Sequence, residues 1–304
     1  MSNIKFTGIM PALISPLDEN GNIIKESVKP IMDYMLDQGV DGFYITGSTG
    51  EGPAMTEENN KDMIKAALDA ARQRKTLKGN DVSIIVHVGA PNPYQAFRMA
   101  KYAEDAGADC IASLAPNFVG GHNAAEMTDY YTRLAGCVEI PVMVYATGLL
   151  GNIDVKEFIS NLMKIDNVIG TKCTIRDYYH MGRLKQINNG DINVINGPDE
   201  TLVCGLTMGA DGGIGSTYNV LADRFVRLYE KFRSGDVAGA TAEQVAINDI
   251  IGAMLKFPNH SNVLKTILKL KGFNAGQGVY PIKAMDADST KKLAEYLKAA
   301  GYEI

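Results

Sequence analysis

Lys172 ends the apolar run Asn167-Val168-Ile169-Gly170-Thr171-Lys172. A lysine carried on such a run brings its amine to the edge of a core, where lost hydration disfavours the charged form of an amine. A free amine so placed adds to a carbonyl carbon and gives a Schiff base. The alternative open at this point is a lysine whose stem lies along apolar surface while its head reaches water. Tyr145 closes a second run, Pro141-Val142-Met143-Val144-Tyr145. Its hydroxyl can relay a proton if the two runs are neighbours; otherwise it is a half-buried tyrosine with a satisfied hydroxyl.

Three glycine-bearing segments have the composition of ligand loops. Gly47-Ser48-Thr49-Gly50-Glu51 joins two hydroxyls to a turn ahead of a helix. Successive N–H groups in such a turn form a concave anion site, and without a following lysine it suits a carboxylate as well as a phosphate. An ordinary glycine-rich turn is the other reading. Asn196-Gly197-Pro198-Asp199-Glu200 carries two acids that either favour a helix start or accept hydrogen bonds from a polyhydroxylated ligand. Gly213-Ile214-Gly215-Ser216-Thr217 is the third. His87, His122, His180 and His260 fall in no ligand spacing, and Cys110, Cys137, Cys173 and Cys204 are scattered without a CxxC. The expectation is therefore no metal, no cofactor, reduced thiols and covalent amine chemistry.

The elements that must position these residues alternate along the chain. Short apolar runs, edged by Gly, Pro or Asn, read as buried strands at Phe6–Ile14, Gly42–Thr46, Val82–Val88, Cys110–Ala115, Val142–Tyr145, Val168–Lys172, Ile192–Ile195 and Gly212–Ile214. Amphipathic helices are expected at Ile24–Gln38, Thr56–Arg74, Tyr94–Ala106, Ala124–Ala135, Val155–Lys164, Tyr178–Ile187, Glu200–Met208 and Leu221–Arg233. Eight strand–helix units imply a parallel sheet with helices outside, and roughly 235 residues is the size of a (β/α)8 TIM barrel. A doubly wound open sheet is the rival, but its GxGxxG after the first strand is replaced by PALISPLDENG. Val237–Leu255, Ser261–Leu270 and Ser289–Ala300 read as further helices. The division expected is an α/β catalytic barrel over residues 1–235 and a helical extension over 236–304 packed on it. In a barrel the chemistry belongs at the C-terminal ends of the strands, where Ser48, Thr49, Tyr145, Lys172, Thr174, Asp199, Glu200 and Ser216 all fall.

Composition narrows the partners. The 304 residues are 46% hydrophobic and 21% charged with net charge −5, which excludes a disordered or collagen-like chain and offers no broad positive field for nucleic acid. The first residues show no signal-peptide pattern, and the apolar runs are too short to span a bilayer. A cytoplasmic protein acting on a small molecule is expected.

With those residues in place, the sequence resembles the pyruvate-dependent aldolase family of N-acetylneuraminate lyase and dihydrodipicolinate synthase. The resemblance runs from GIMPALISPLDENG through DGFYITGSTGE, VMVY, VIGTKCT and GADGGIGSTYN to the C-terminal helices. It implies Lys172 as the Schiff-base lysine and Tyr145 as its proton relay. Ser48 and Thr49 would bind the substrate carboxylate, Ser48 also touching Tyr145. Thr174, Gly197, Asp199, Glu200 and Ser216 would line the sugar side.

The lyase branch of that family is the nearer one, from NGPDE and the strand-8 segment. It implies reversible cleavage of N-acetylneuraminate to pyruvate and N-acetylmannosamine by a homotetramer. The synthase branch has an arginine soon after the tyrosine, where this chain has Ala146-Thr147-Gly148-Leu149-Leu150-Gly151, and a further tyrosine missing from Pro116-Asn117-Phe118-Val119. Departures from the lyase pattern fall at Ala146–Gly148 and at Asn117–Asn123. Other readings are an aldolase of the 2-keto-3-deoxygluconate type, a dihydrodipicolinate synthase, and a non-catalytic sugar-acid binder.

Overall fold

The computed structural model describes residues 5–116, 123–151 and 153–304. Residues 117–122, which include His122 and most of the departing Asn117–Asn123 loop, lie outside the described residues.

Each expected apolar run contributes a short parallel strand: β1 (Gly8–Pro11), β2 (Gly42–Ile45), β3 (Ser83–His87), β4 (Cys110–Ser113), β5 (Val142–Ala146), β6 (Val168–Cys173), β7 (Asn193–Asn196) and β8 (Gly212–Gly215). They are hydrogen-bonded in the order β1-β8-β7-β6-β5-β4-β3-β2. The remaining seam between β1 and β2 closes through a parallel bridge of Ala12 with Tyr44 and the bond from Leu13 N–H to the Tyr44 carbonyl at 2.9 Å. The result is a TIM barrel. Nearly every strand residue is buried on both faces, which is why the runs show no polar alternation.

The outer ring is α1 (Lys25–Leu36), α2 (Glu57–Ala71), α3 (Pro93–Ala106), α4 (Ala124–Ala135), α5 (Val155–Leu162), α6 (Tyr178–Leu184), α7 (Leu202–Thr207) and α8 (Tyr218–Arg233). Local chemistry sets its limits. Thr56 caps α2 by accepting from Asn59 N–H, Asn92 caps α3 ahead of Pro93, and Asn123 with Glu126 forms a capping box on α4. Gly107 ends α3 at φ +92°, a conformation that a side chain would strain.

Among the eight helices of the outer ring, two starts differ from expectation by two residues or more. The helix expected from Glu200 begins at Leu202, after a 3-10 turn over Asp199–Thr201, because the Asp199 carboxylate reaches across to the next loop rather than capping its own helix. The helix expected from Leu221 begins at Tyr218, but Leu221 is a kink with φ −123° that separates the first turn from the rest. That turn is held by Asn219, whose side chain accepts from Ile14 N–H and donates to the Ala12 and Ser216 carbonyls.

The C-terminal helices are α9 (Val237–Met254), α10 (His260–Leu270) and α11 (Ala287–Ala299). α9 packs on α7 and α8, α10 on α8, and α11 on α9. Among the described residues no helix is long and apolar enough to cross a membrane.

Candidate active site

Strand alternation decides what fills the barrel. Met10, Tyr44, Ile85, Cys110, Met143, Ile195 and Ile214 form an inner cluster separate from the apolar layer between sheet and helices. Two residues further along, the same inward faces of β3, β5 and β6 carry His87, Tyr145 and Lys172 at the C-terminal mouth. The β5–β6 register places Tyr145 directly beside Lys172. The Lys172 amine is enclosed: the side chain is 5% exposed, and Nζ stands 4.2 Å from the ring centre of Tyr44 and 4.3 Å from that of Tyr145. A buried amine held between two aromatic rings is an arrangement that covalent catalysis can use.

The loop after β2 is held in an unusual shape. Thr46 adopts φ +56°, rare for a β-branched residue and a form of strain that clusters at functional sites. Its hydroxyl donates to the His87 carbonyl at 2.8 Å. In return, the His87 imidazole bonds the Thr46 carbonyl through Nδ1 at 3.2 Å, and Leu114 N–H donates to Nε2 at 3.2 Å. Nε2 is thus the acceptor and Nδ1 carries the hydrogen. Burial, then the nearby Lys172 amine, push this imidazole down to about 4, against the opposing pull of its bond to Thr46.

The unfolded chain therefore binds a proton at His87 that the folded protein refuses between pH 6.5 and about 4. The stability this neutral ring contributes is complete above pH 6.5 and falls by about 3 kcal/mol as pH drops through that window. Chemical denaturation of the parent and of His87→Gln from pH 7 to 4 checks this. Glutamine keeps a donor and an acceptor without titrating, so the parent should lose stability more steeply; parallel curves would contradict it.

Beyond the strained turn, Ser48 is exposed and Thr49 half-buried. A cleft of about 520 Å³ opens beside Ser48, lined by Pro53, Ala90, Leu114 and the Val279–Ile282 segment. Among the described residues no hydrogen bond joins Ser48 to Tyr145. The far end of the loop is anchored by Glu51, itself at φ +58° and 8% exposed. One Glu51 oxygen accepts from Lys265 Nζ of α10 and the other from Val279 N–H at 3.2 Å. Lys265 has no solvent exposure and also donates to the Gln277 carbonyl at 2.6 Å. Its burial lowers the ammonium pKa, with Glu51 acting in the opposite direction.

Across the mouth, Asp199 organises the loop after β8. Its Oδ2 accepts from Ser216 Oγ at 2.9 Å and from Thr217 N–H and Oγ at 2.7 Å each, while Oδ1 accepts from Ser216 N–H at 3.2 Å. Burial raises this carboxyl despite those donors. A side chain at Gly215 would meet Asp199 Oδ1 at 2.1 Å, so the approach requires glycine. Glu200 is half-buried and paired with Arg176. Thr174 leaves β6 with its N–H on the Ala146 carbonyl, and its Oγ1 is buried without a partner against Gly197, where a Cβ would come within 2.2 Å. The structure thus gathers Tyr145 and Lys172 at the mouth centre, Ser48 and Thr49 on the β2 side, and Thr174, Gly197, Asp199, Glu200 and Ser216 on the β6–β8 side.

Four residues around the site were not singled out for a role from sequence: Tyr44, Thr46, Lys265 and His260. Tyr44 was within reach of the two-residue alternation, since it precedes Thr46 by two on an inward face. Its hydroxyl is buried without a partner. No local pattern marks the other three.

Comparison with known proteins adds to this geometry. The model of the dihydrodipicolinate synthetase family matches residues 5–300. N-acetylneuraminate lyase of Actinobacillus pleuropneumoniae serotype 5b (strain L20) is 32% identical over 296 residues, covering 96% of this chain and 97% of that one. The solved structure of N-acetylneuraminate lyase (sialic acid aldolase) from Aliivibrio salmonicida superposes with a TM-score of 0.90 at 26% identity, covering 99% of each chain. A catalytic lysine mutant of the Ruminococcus gnavus sialic acid aldolase superposes equally well, at a TM-score of 0.90 and 26% identity, over 97% of this chain and 96% of that one.

Proposed function

The chain belongs to the dihydrodipicolinate synthetase family, and on that premise we propose that it is a Schiff-base aldolase reversibly cleaving N-acetylneuraminate to pyruvate and N-acetylmannosamine. The observation that carries this is the enclosed Lys172 amine between Tyr44 and Tyr145 at the barrel mouth. The relatives named N-acetylneuraminate lyase, and the sialic acid aldolase described by its catalytic lysine, support the choice of reaction.

The open-chain sugar acid presents its 2-oxo carbon to Lys172 Nζ, and loss of water leaves an iminium. Ser48, Thr49 and the N–H groups of their turn hold the adjacent carboxylate, which fixes the carbonyl beside the amine and supplies the proximity gain. Tyr145 gives its phenolic proton to the hydroxide that leaves as that water, and the resulting phenolate takes the proton of the C4 hydroxyl. As the C4 aldehyde forms, the C3–C4 bond breaks and its electron pair enters the iminium to give an enamine. N-acetylmannosamine departs, the enamine is protonated at C3, and water releases pyruvate and restores the amine. The covalent amine makes a separate cofactor unnecessary. Thr174, Gly197, Glu200 and the Asp199–Ser216 pair face the polyol chain. The working form is a cytoplasmic homotetramer.

The test is borohydride reduction in the presence of pyruvate, followed by peptide mass spectrometry, and a coupled assay of pyruvate release from N-acetylneuraminate and other 2-oxo sugar acids. An adduct on the Lys172 peptide with preferential cleavage of N-acetylneuraminate is the expected result. An adduct with preferential condensation onto aspartate semialdehyde assigns the synthase reaction instead, and no adduct rejects the amine mechanism. Tyr145→Phe removes the proton acceptor but keeps the wall. Pyruvate should still be trapped while cleavage slows about 10²-fold or more; unchanged turnover removes Tyr145 from proton transfer.

A further inference from the structure

His260, the first residue of α10, reaches the sugar side of the site from the C-terminal extension. Its Nε2 lies 3.1 Å from Ser216 Oγ. The single hydroxyl hydrogen of Ser216 is already engaged, pointing at Asp199 Oδ2 at 2.9 Å. Asp199 collects hydrogen bonds from the N–H and hydroxyl groups of both Ser216 and Thr217, the setting of an ionised acceptor. The hydrogen between His260 and Ser216 must then come from Nε2, and His260 Nδ1 is left buried without a partner. Burial lowers this imidazole's pKa, with Asp199 and Glu200 acting the other way, so the ring carries one hydrogen at neutral pH.

We infer that His260 is a specificity-determining positioning residue: by donating Nε2–H to Ser216 it locks that hydroxyl onto Asp199, so the β8 side of the site presents an oxygen that only accepts. A ligand chain meeting Ser216 must then bring a hydrogen-bond donor, which a sugar hydroxyl supplies and an oxyanion does not. Glu200 adds a second acceptor on this side, with one nitrogen of the largely exposed Arg176 guanidinium paired to it. The substrate class selected is a hydroxyl-bearing aldehyde in preference to one ending in a second carboxylate. This rests on the aldolase reading given above, but the function of His260 concerns only the aldehyde half of the reaction.

The experiment compares the parent, His260→Ala and His260→Gln. Thermal unfolding is followed alongside half-saturation for pyruvate trapping by borohydride, KM and kcat for N-acetylneuraminate, and the rate ratio for N-acetylmannosamine over succinate semialdehyde, whose chain ends in a carboxylate and carries no donor. In His260→Ala the sugar-acid KM should rise about fivefold, the size of one hydrogen bond, with pyruvate half-saturation unchanged and the aldehyde ratio reduced. Glutamine, whose amide can donate from a similar place, should restore much of the loss. An unchanged sugar-acid KM, a parallel rise for pyruvate, or no rescue by glutamine overturns the role of His260. A parent that traps no pyruvate overturns the aldolase reading itself and this inference with it.

Discussion

Lys172→Ala and Lys172→Arg should both abolish N-acetylneuraminate cleavage, with kcat falling on the order of 10⁴-fold or more, as loss of a covalent nucleophile does. Alanine removes the amine. Arginine puts a guanidinium between Tyr44 and Tyr145 that stays protonated and cannot form the imine. The pair of variants separates nucleophilic from electrostatic roles, because a lysine acting only through its charge would survive the change to arginine in part. Neither variant should yield a borohydride adduct with pyruvate. Near-normal cleavage by either would reject Lys172 as the covalent residue.

The second large effect lies away from the reacting atoms. Lys265→Met leaves the Glu51 carboxylate buried with its Val279 N–H but without its cation. An uncompensated buried charge of this kind costs about 3–5 kcal/mol, to be read as a lowered urea midpoint. The double variant Glu51→Gln with Lys265→Met removes both charges and should recover most of that loss. Because Glu51 closes the turn that carries Ser48 and Thr49, half-saturation for pyruvate should rise in both variants even where stability returns. A double variant as unstable as the single one would show that the pair's geometry, not its charge balance, is what matters.

The barrel itself was legible in the sequence because its signals are local. Apolar runs buried on both faces, a threonine cap at Thr56 and a left-handed stop at Gly107 each act within a few residues. Given the strand order, the closeness of Tyr145 to Lys172 also follows, since parallel neighbours in register bring their ends together. What was not legible depends on contacts with no sequence period. Lys265 is 214 residues from Glu51, and nothing in α10 distinguishes a lysine destined for full burial from one on a solvated face. His260 meets Ser216 only because α10 returns across α8. Asp199 has the spacing of a helix-start acid, yet its donors lie 17 and 18 residues ahead in the loop after β8. The shortened start of α7 is the visible trace of that choice.

The tie between Glu51 and the segment near Val279 also orders events during synthesis. These partners are 228 residues apart, so at roughly 5–20 residues per second a ribosome needs about ten to forty-five seconds to deliver the second after the first. For most of that interval the acid has neither its cation nor its amide, and the turn it terminates rests on nearer bonds such as Ser15 Oγ to the Gly50 carbonyl and Glu51 N–H to the Ser48 carbonyl. A nascent chain stalled after β8 carries Lys172 and Tyr145 but lacks the far anchor of the turn that bears Ser48 and Thr49. Such a fragment, supplied separately with a peptide spanning α9 to α11, is a natural pair for reconstitution by complementation.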